Sequence, residues 1–549
     1  MIILEIILFF LSIVLLSASI AGYGSILSQN TKSNFLNDVF LGYLIISLVV
    51  TFLHFFFSIS FVLNIFIFIY GLLIFYKKNL NLNNLKLLKK INIFYLLILL
   101  LLIPMFFSQK YHEDFGYYHL PYALAFVEEK IVFGFGNISE PFLYNSIWLN
   151  LYPLFFFDQN FSFLTLPSFL LFLSFIIFST SKILKKKNIE ISDYFLVTVL
   201  FYFLLKFTRI SEFGVDFPAV IFCILAIFYF IKFYETNKYF DKKSFFFLNV
   251  AFSIFSILIK LSAIPIIILP VYIYFTNLKN FKFLIFEINF LIIYLLGIVF
   301  LVQQFVYSGC ILYPTKFSCF NVNWFNPDHL NLSRKIELIN KSYSVAKNIY
   351  TPEEYLNNFT WFFFWIKRNL IEIVEHLITM LIPLLVFLIF LKKREKLNLI
   401  FKEKSFLYFF CTLSLIFWFN FSPVFRFAIH IFLTLMFLIS VSLFGSKTFS
   451  KKIFVIFVSF FLFFNFSKNI LRIAETEKTF LGIQKIKNYY KLNDQSINKY
   501  INVYKPDNQK NKINGWQGRL CWNIPFICSY EALDVKKKNG YLIINKLKN

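Results

Sequence analysis

Charge is scarce in this sequence: 15% of its 549 residues are Asp, Glu, Lys or Arg, against roughly a quarter in an ordinary soluble protein. Together with 59% hydrophobic residues, that shortage excludes a soluble globular chain. Long Pro/Gly linkers and internal repeats are also absent, so nothing divides the chain into repeated modules. The first apolar stretch, Met1 to Ala18, has no basic n-region ahead of it and no clear small-residue cleavage site, so it reads as a span rather than a signal peptide. HExxH, CxxC, GxGxxG and P-loop patterns are missing, and with them the motif-level warrant for a zincin, a zinc knuckle or a nucleotide cradle.

What the chain does have is repeated apolar runs of about 18 to 22 residues, the length that crosses a hydrocarbon core as a helix. They are too long, and too apolar on every face, for the alternating strands of a barrel. The expected fold class is therefore an all-α polytopic membrane protein of about fourteen transmembrane helices. The spans fall at 2–19, 36–56, 58–76, 91–107, 160–180, 191–207, 216–234, 244–260, 262–276, 283–304, 369–391, 406–421, 427–444 and 453–466. Eighty-three phenylalanines accompany abundant Lys, Ile and Asn, as an A/T-rich coding sequence would give. Phe is expected to stand in for Leu and Val on lipid-facing surfaces.

The net charge of +25 is a matter of topology rather than of nucleic acid. Lysines cluster in short loops, among them Lys182 to Lys187, Lys232 to Lys243, Lys392 to Lys404 and Lys447 to Lys452. These alternate with loops poor in basic residues, the positive-inside pattern. Both termini and three larger pieces then fall outside: loops at 108–159 and 305–368, and a tail from 467 to 549. The chain divides into a transmembrane domain, 1–466, and a small extracytoplasmic C-terminal α+β domain, 467–549. Of six cysteines, Cys310 and Cys319 fall in the second outer loop and Cys521 and Cys528 in the tail. Two short disulfides are expected there, since such bonds persist in an oxidising compartment. Cys223 and Cys411 lie within spans and are expected to be free.

Chemistry is placed at the outer face. In Tyr111-His112-Glu113-Asp114-Phe115-Gly116-Tyr117-Tyr118-His119 two carboxylates lie side by side at the end of an apolar span, where unpaired charge is costly. The same topology puts Arg209, Glu212 and Asp216 in one outer turn, Lys260 between two spans, and Arg426 and His430 after another. A carboxylate there can take a proton from a hydroxyl acceptor, while Arg and Lys hold a departing phosphate. Each of these charges also has a plainer reading as an interfacial, snorkelling side chain. Gly134-Phe135-Gly136-Asn137 reads as a turn. His112, Glu113, Asp114 and His119 leave a divalent metal open without composing a closed ligand set, and no cofactor is assigned.

Several of these motifs resemble a family of uncharacterised bacterial polytopic membrane proteins that are themselves similar to the GT-C superfamily of glycosyltransferases. They are Asp114-Phe-Gly-Tyr-Tyr-His-Leu-Pro121, Phe133-Gly-Phe-Gly-Asn137, Tyr144-Asn145-Ser146, Asp216-Phe-Pro218, Lys260-Leu-Ser262, Ser308 to Pro314, Pro423 to Phe427 and Cys521 to Cys528. The resemblance implies a GT-C-like fold and an inverting transfer of sugar from a polyprenyl-phosphate donor to an envelope glycan or lipid acceptor. It places that transfer on the periplasmic side of a bacterial inner membrane. Asp114 matches the family's essential acid, with Glu113 beside it. Arg209, Asp216, Lys260, Arg426, Tyr118 and His119 would hold the donor phosphate or substrate. A lipid-linked glycan flippase and an O-antigen-type polymerase are the alternatives.

Overall fold

The computed structural model describes residues 2–28, 34–79, 93–108, 114–156, 161–185, 190–208, 214–390, 392–393, 403–444, 447–448 and 450–475, and in the C-terminal region 492–494, 504–506, 512–513, 516–517, 521, 526–529 and 533–546. Its helices run in chain order as α1 (Ile2–Leu27), α2 (Phe35–His54), α3 (Phe61–Asn79), α4 (Ile93–Phe107), α5 (Leu120–Glu128), α6 (Leu166–Lys185), α7 (Ile191–Lys206), α8 (Asp216–Glu235), α9 (Tyr239–Ile259), α10 (Ile268–Thr276), α11 (Leu278–Phe281), α12 (Ile288–Ser308), α13 (Leu332–Asn340), α14 (Pro352–Asn357), α15 (Thr360–Ile389), α16 (Lys404–Phe421), α17 (Ile429–Phe444) and α18 (Lys451–Glu475). Every span expected from the sequence contains helix. Among the described residues, ten helices are long and apolar enough to cross a membrane, or up to eleven if the bent pair Leu261–Thr276 and Leu278–Phe286 is one span. The expected count of about fourteen also took in the shorter α4, α7 and α17.

Helix α8 forms the axis of the bundle. From Phe217 to Phe233 nearly every side chain is buried, because α6, α7, α9 and α17 surround it. Rings interlock there: Phe207, at the end of α7, and Phe217 of α8 are centred 4.5 Å apart, and Phe203, one turn earlier in α7, lies 4.7 Å from Phe207. The expectation that Phe belongs on lipid-facing surfaces is thus corrected in part. Phe66, Phe363 and Phe460 do face outward, but Phe172, Phe175, Phe195, Phe222 and Phe252 are fully buried, where their large apolar area packs helix against helix. At the N-terminal side, α1 lies directly on α2: a Cβ at Gly42 would stand 1.9 Å from the carbonyl oxygen of Ile20. Only glycine permits that approach.

The twenty residues of α8 span about 30 Å and separate two polar ends. At the end rich in lysine, Lys232 pairs with Glu190 and, at 2.8 Å, with Glu235, while Lys451 donates to the carbonyl of Leu184 at 2.6 Å. At the other end three stretches remote in sequence meet on one side chain. Asn137 donates to the carbonyl oxygens of Trp324 at 2.9 Å and Ile544 at 2.8 Å, joining the first outer loop, the second and the tail. A C-terminal antiparallel hairpin, Leu533–Lys538 with Tyr541–Lys546, extends this junction: Phe133 N–H donates to Leu542 and Ile544 N–H to Phe133, each at 2.9 Å. Tyr541 donates to the carbonyl of Phe55 at 3.1 Å. Both expected disulfides are present, Cys310–Cys319 and Cys521–Cys528, and Cys223 and Cys411 are free and buried.

Candidate functional site at one end of the bundle

Asp216 opens α8, and its position there decides the site. Its carboxylate faces two cations delivered by separate connections: Lys260 Nζ, from the break after α9, on Oδ1, and Arg426 Nε, from the single 3-10 turn before α17, 2.7 Å from Oδ2. Helix α9 stops at Ile259 because the outer loop caps it. Ser146 donates to the carbonyl of Ile259 at 2.7 Å, and Ile147 N–H to that of Leu258 at 3.1 Å. The chain then restarts as a 3-10 turn, Leu261–Ile267, with Pro265 inside. Lys260 is thereby held in extended backbone between two helical segments. Its ammonium also sits over the ring of Phe427, an attraction that adds to the ion pair. Asp216 is 12% and Lys260 20% exposed, whereas Arg426 is 43% exposed. The guanidinium therefore offers its outer edge to whatever binds.

The first outer loop brings its motif to the same place. Phe115–His119 form a π-helical turn that runs into α5, and Pro121 at the start of α5 suits that junction. Asp114, partly buried, lies within Coulombic reach of Lys260, Arg426 and Tyr118. Burial pushes the Tyr118 phenol well above its ordinary pKa, and the charges of Asp114 and Asp216 push the same way, so it stays a neutral hydrogen-bonding group. His119 is buried against the turn before α8: Gly214 has φ +45°, and a Cβ there would stand 2.7 Å from His119 Cε1. Any side chain at 214 would thus displace the imidazole and strain the backbone.

Of the residues expected at the site, Asp114, Tyr118, His119, Asp216, Lys260 and Arg426 converge. Glu113, Arg209, Glu212 and His112 lie outside the described residues. Lys260 and Arg426, expected to hold a donor phosphate, both engage Asp216. An anion must share them with that carboxylate. Among the described residues no group of three or more His, Cys, Asp or Glu could hold a metal ion.

Two features of the structure lie outside the residues expected at the site. His376 of α15 stacks on Phe425, with ring centres 4.6 Å apart, and Tyr202 bonds its Nδ1 at 2.6 Å. Glu372, one turn earlier, lies within Coulombic reach of Arg426. The signal was visible, since Glu372, Glu375 and His376 are ionisable residues inside an expected span. The second feature is a buried network that seats the outer loop on the bundle. Tyr122 donates to Asn150 at 2.7 Å, Asn145 and Asn150 donate to Gln303 Oε1 at 2.8 and 2.9 Å, and Asn150 also donates to Thr51 at 2.8 Å.

A cleft of about 580 Å³ lies between the turn that follows Lys260 and helix α16. One wall is the turn after Lys260, with Ile264, Pro265 and Ile268, and the other is α16, with Leu413, Ile416 and Phe421. Ile264, Ile416 and Phe421 are exposed at its mouth. Lys260 begins the first wall, and the second continues through Pro423 to Arg426. Beneath the cluster, Asp216, Lys260, Phe427 and His430 border a void of about 10 Å³.

A helical polytopic membrane protein with an ion cluster at one end of its bundle is the class that fold and site define. The chain belongs to a family described as a domain of unknown function (DUF8201), whose model matches residues 1–433. This agrees with the resemblance to an uncharacterised family of membrane proteins. No curated protein matches. Among solved structures, the chain is similar to the arabinosyltransferase EmbB from Mycobacterium smegmatis at 11% identity and a TM-score of 0.35. That similarity covers 78% of this chain and 48% of EmbB, so the chain spans about half that protein's length.

Proposed function

We propose that this protein is a GT-C-like membrane glycosyltransferase that moves a sugar from a polyprenyl-phosphate carrier to a glycan or lipid acceptor, with inversion at the anomeric carbon. The observation that carries this reading is the apolar cleft between the turn that follows Lys260 and α16, the helix that precedes Arg426 in the chain. A polyprenyl chain suits the cleft, and its phosphate then lies among cations. Asp114 accepts the acceptor's hydroxyl proton, the oxygen attacks the anomeric carbon, and the carbon–oxygen bond to the carrier phosphate breaks with its electron pair on the phosphate. Arg426 and Lys260 stabilise that charge. Asp216 holds the two cations in place beforehand, so little reorganisation accompanies the step. Glu113 assists Asp114, and Arg209 adds a third cation from the turn before α8. Tyr118 and His119 position the acceptor.

In this reading the lysine-rich end faces the cytoplasm of a bacterial inner membrane, and the outer loops and the tail from 467 face the periplasm. The test is incubation of the purified protein in liposomes with a set of radiolabelled polyprenyl-phosphate sugars and envelope lipid extract. Transfer of label to an acceptor, with release of polyprenyl phosphate, is the expected result. Passage of intact donor from one leaflet to the other without transfer would replace the enzyme by a flippase.

A further inference from the structure

The second outer loop carries an apolar patch that the proposed chemistry does not use. Helix α12 ends at Ser308, and the chain turns off its axis at Gly309. The segment Gly309–Phe320 folds back on itself: Ile311 N–H donates to Ser318 at 3.0 Å, Phe320 N–H to Gly309 at 3.0 Å, and Cys310–Cys319 closes the base. Four apolar side chains on this small clamped loop face outward: Phe317 is 86%, Phe320 50%, Leu312 48% and Ile311 37% exposed. Burying them inward was open to a loop with a core beneath it, formed by Cys310, Tyr313, Leu143 and Leu332. The loop instead presents Phe317 to the surroundings.

What covers them is indicated by the helix below. Leu291, Leu295, Ile298 and Val302 are exposed along α12 at the i, i+4, i+7, i+11 spacing of a single helical face, which in a membrane-spanning helix is the lipid-facing face. One turn beyond Val302 that face reaches Phe305, whose ring meets Phe320 edge-on at 5.6 Å and Trp324 at 5.9 Å. The apolar surface therefore runs without a break from the lipid-facing stripe of α12 onto the loop. Trp324, with its indole N–H donated to the carbonyl of Phe305 at 3.3 Å, stands where aromatic belts form. Lys316, next to Phe317, adds a cation suited to headgroup phosphates.

We propose that the disulfide-clamped loop Gly309–Phe320 is a lipid-binding surface, with Phe317, Leu312 and Phe320 inserted among the acyl chains of the adjacent leaflet. The loop is then a second anchor beside the outer end of α12, holding the second outer loop down against the membrane. This assignment is independent of the transferase reading.

The experiment places the photoreactive p-benzoylphenylalanine at position 317 of the full chain. The protein is reconstituted in liposomes of phosphatidylethanolamine and phosphatidylglycerol and irradiated, and peptides are read by mass spectrometry. The same residue at Val302, on the lipid-facing stripe, and at Glu353, exposed in α14, gives the lipid and water references. The expected result is a phospholipid adduct at 317 with a yield comparable to that at 302 and several-fold above that at 353. A yield no higher than at 353 overturns the proposal, and so does a cross-link from 317 to a second copy of the chain or to another protein.

Discussion

Lys260 carries its ammonium 3.3 Å from the ring centre of Phe427, next in sequence to Arg426. The two cations of the site thus share one aromatic ring, with Arg426 Cζ 5.6 Å from its centre, as well as one carboxylate. Arg426, the more exposed of the two, is the better placed to meet an incoming phosphate. Arg426→Gln is expected to weaken donor binding by roughly tenfold to a hundredfold, the usual worth of a charge-assisted hydrogen bond. The KM for donor should rise, with a smaller change for acceptor. An unchanged donor KM in steady-state assays would remove Arg426 from the phosphate site.

Asp114→Asn keeps shape while removing charge. Transfer should fall by about 10²–10⁴, the range of general-base catalysis, with the unfolding temperature in detergent preserved. Glu113→Gln should cost less, since its expected role is to assist. Initial rates with matched donor and acceptor decide the matter: wild-type turnover by Asp114→Asn would end the mechanism.

Asp216 is a stability prediction more than a catalytic one. Asp216→Asn leaves Lys260 and Arg426 facing each other without their shared carboxylate, and breaking a largely buried pair costs about 3 kcal/mol. The exposure of Arg426 lowers its share of that figure. The double variant Asp216→Asn, Arg426→Gln should therefore recover part of the loss, which thermal unfolding of the purified proteins measures. Losses that simply add between the single variants Asp216→Asn and Arg426→Gln and the double variant would show that the two charges do not interact.

The bundle was legible in the sequence because the apolar runs are long and the basic residues lie between them. So were the disulfides, from cysteines that cluster in the outer loops, and most of the ion cluster, from charges that recur at loop edges. The pairing of Asp216 with both Lys260 and Arg426 was not legible, since it depends on how α8, α9 and α17 end beside one another. Nor were the roles of His376 and Ser146. His376 takes its meaning from a ring contact with Phe425, and Ser146 from a hydrogen bond to a helix 113 residues away. Phe could not be sorted between interior and lipid faces, because both environments are apolar and periodicity separates only apolar from polar.

The C-terminal hairpin should be a structural part of the outer face. Ile544 is fully buried, and Ile544→Ala is expected to cost about 2–5 kcal/mol, loosening the strand against Phe133. Limited proteolysis in intact liposomes reads this out as faster cleavage within 500–549 and in the loop near 137. Unchanged cleavage in both places would mean that the hairpin and loop are not coupled.

The bonds from Asn137 to Ile544 link residues 407 positions apart, and that distance has a consequence for biosynthesis. The first outer loop emerges early, after α4, yet its partners at Trp324 and Ile544 are made much later. During all of that time its buried-to-be polar groups, Asn137 among them, must stay hydrated on the side where they were delivered. The junction at Asn137 is therefore completed last, and a chain arrested before residue 544 would hold the loop's bonds to Ile259 and Gln303 while lacking this one.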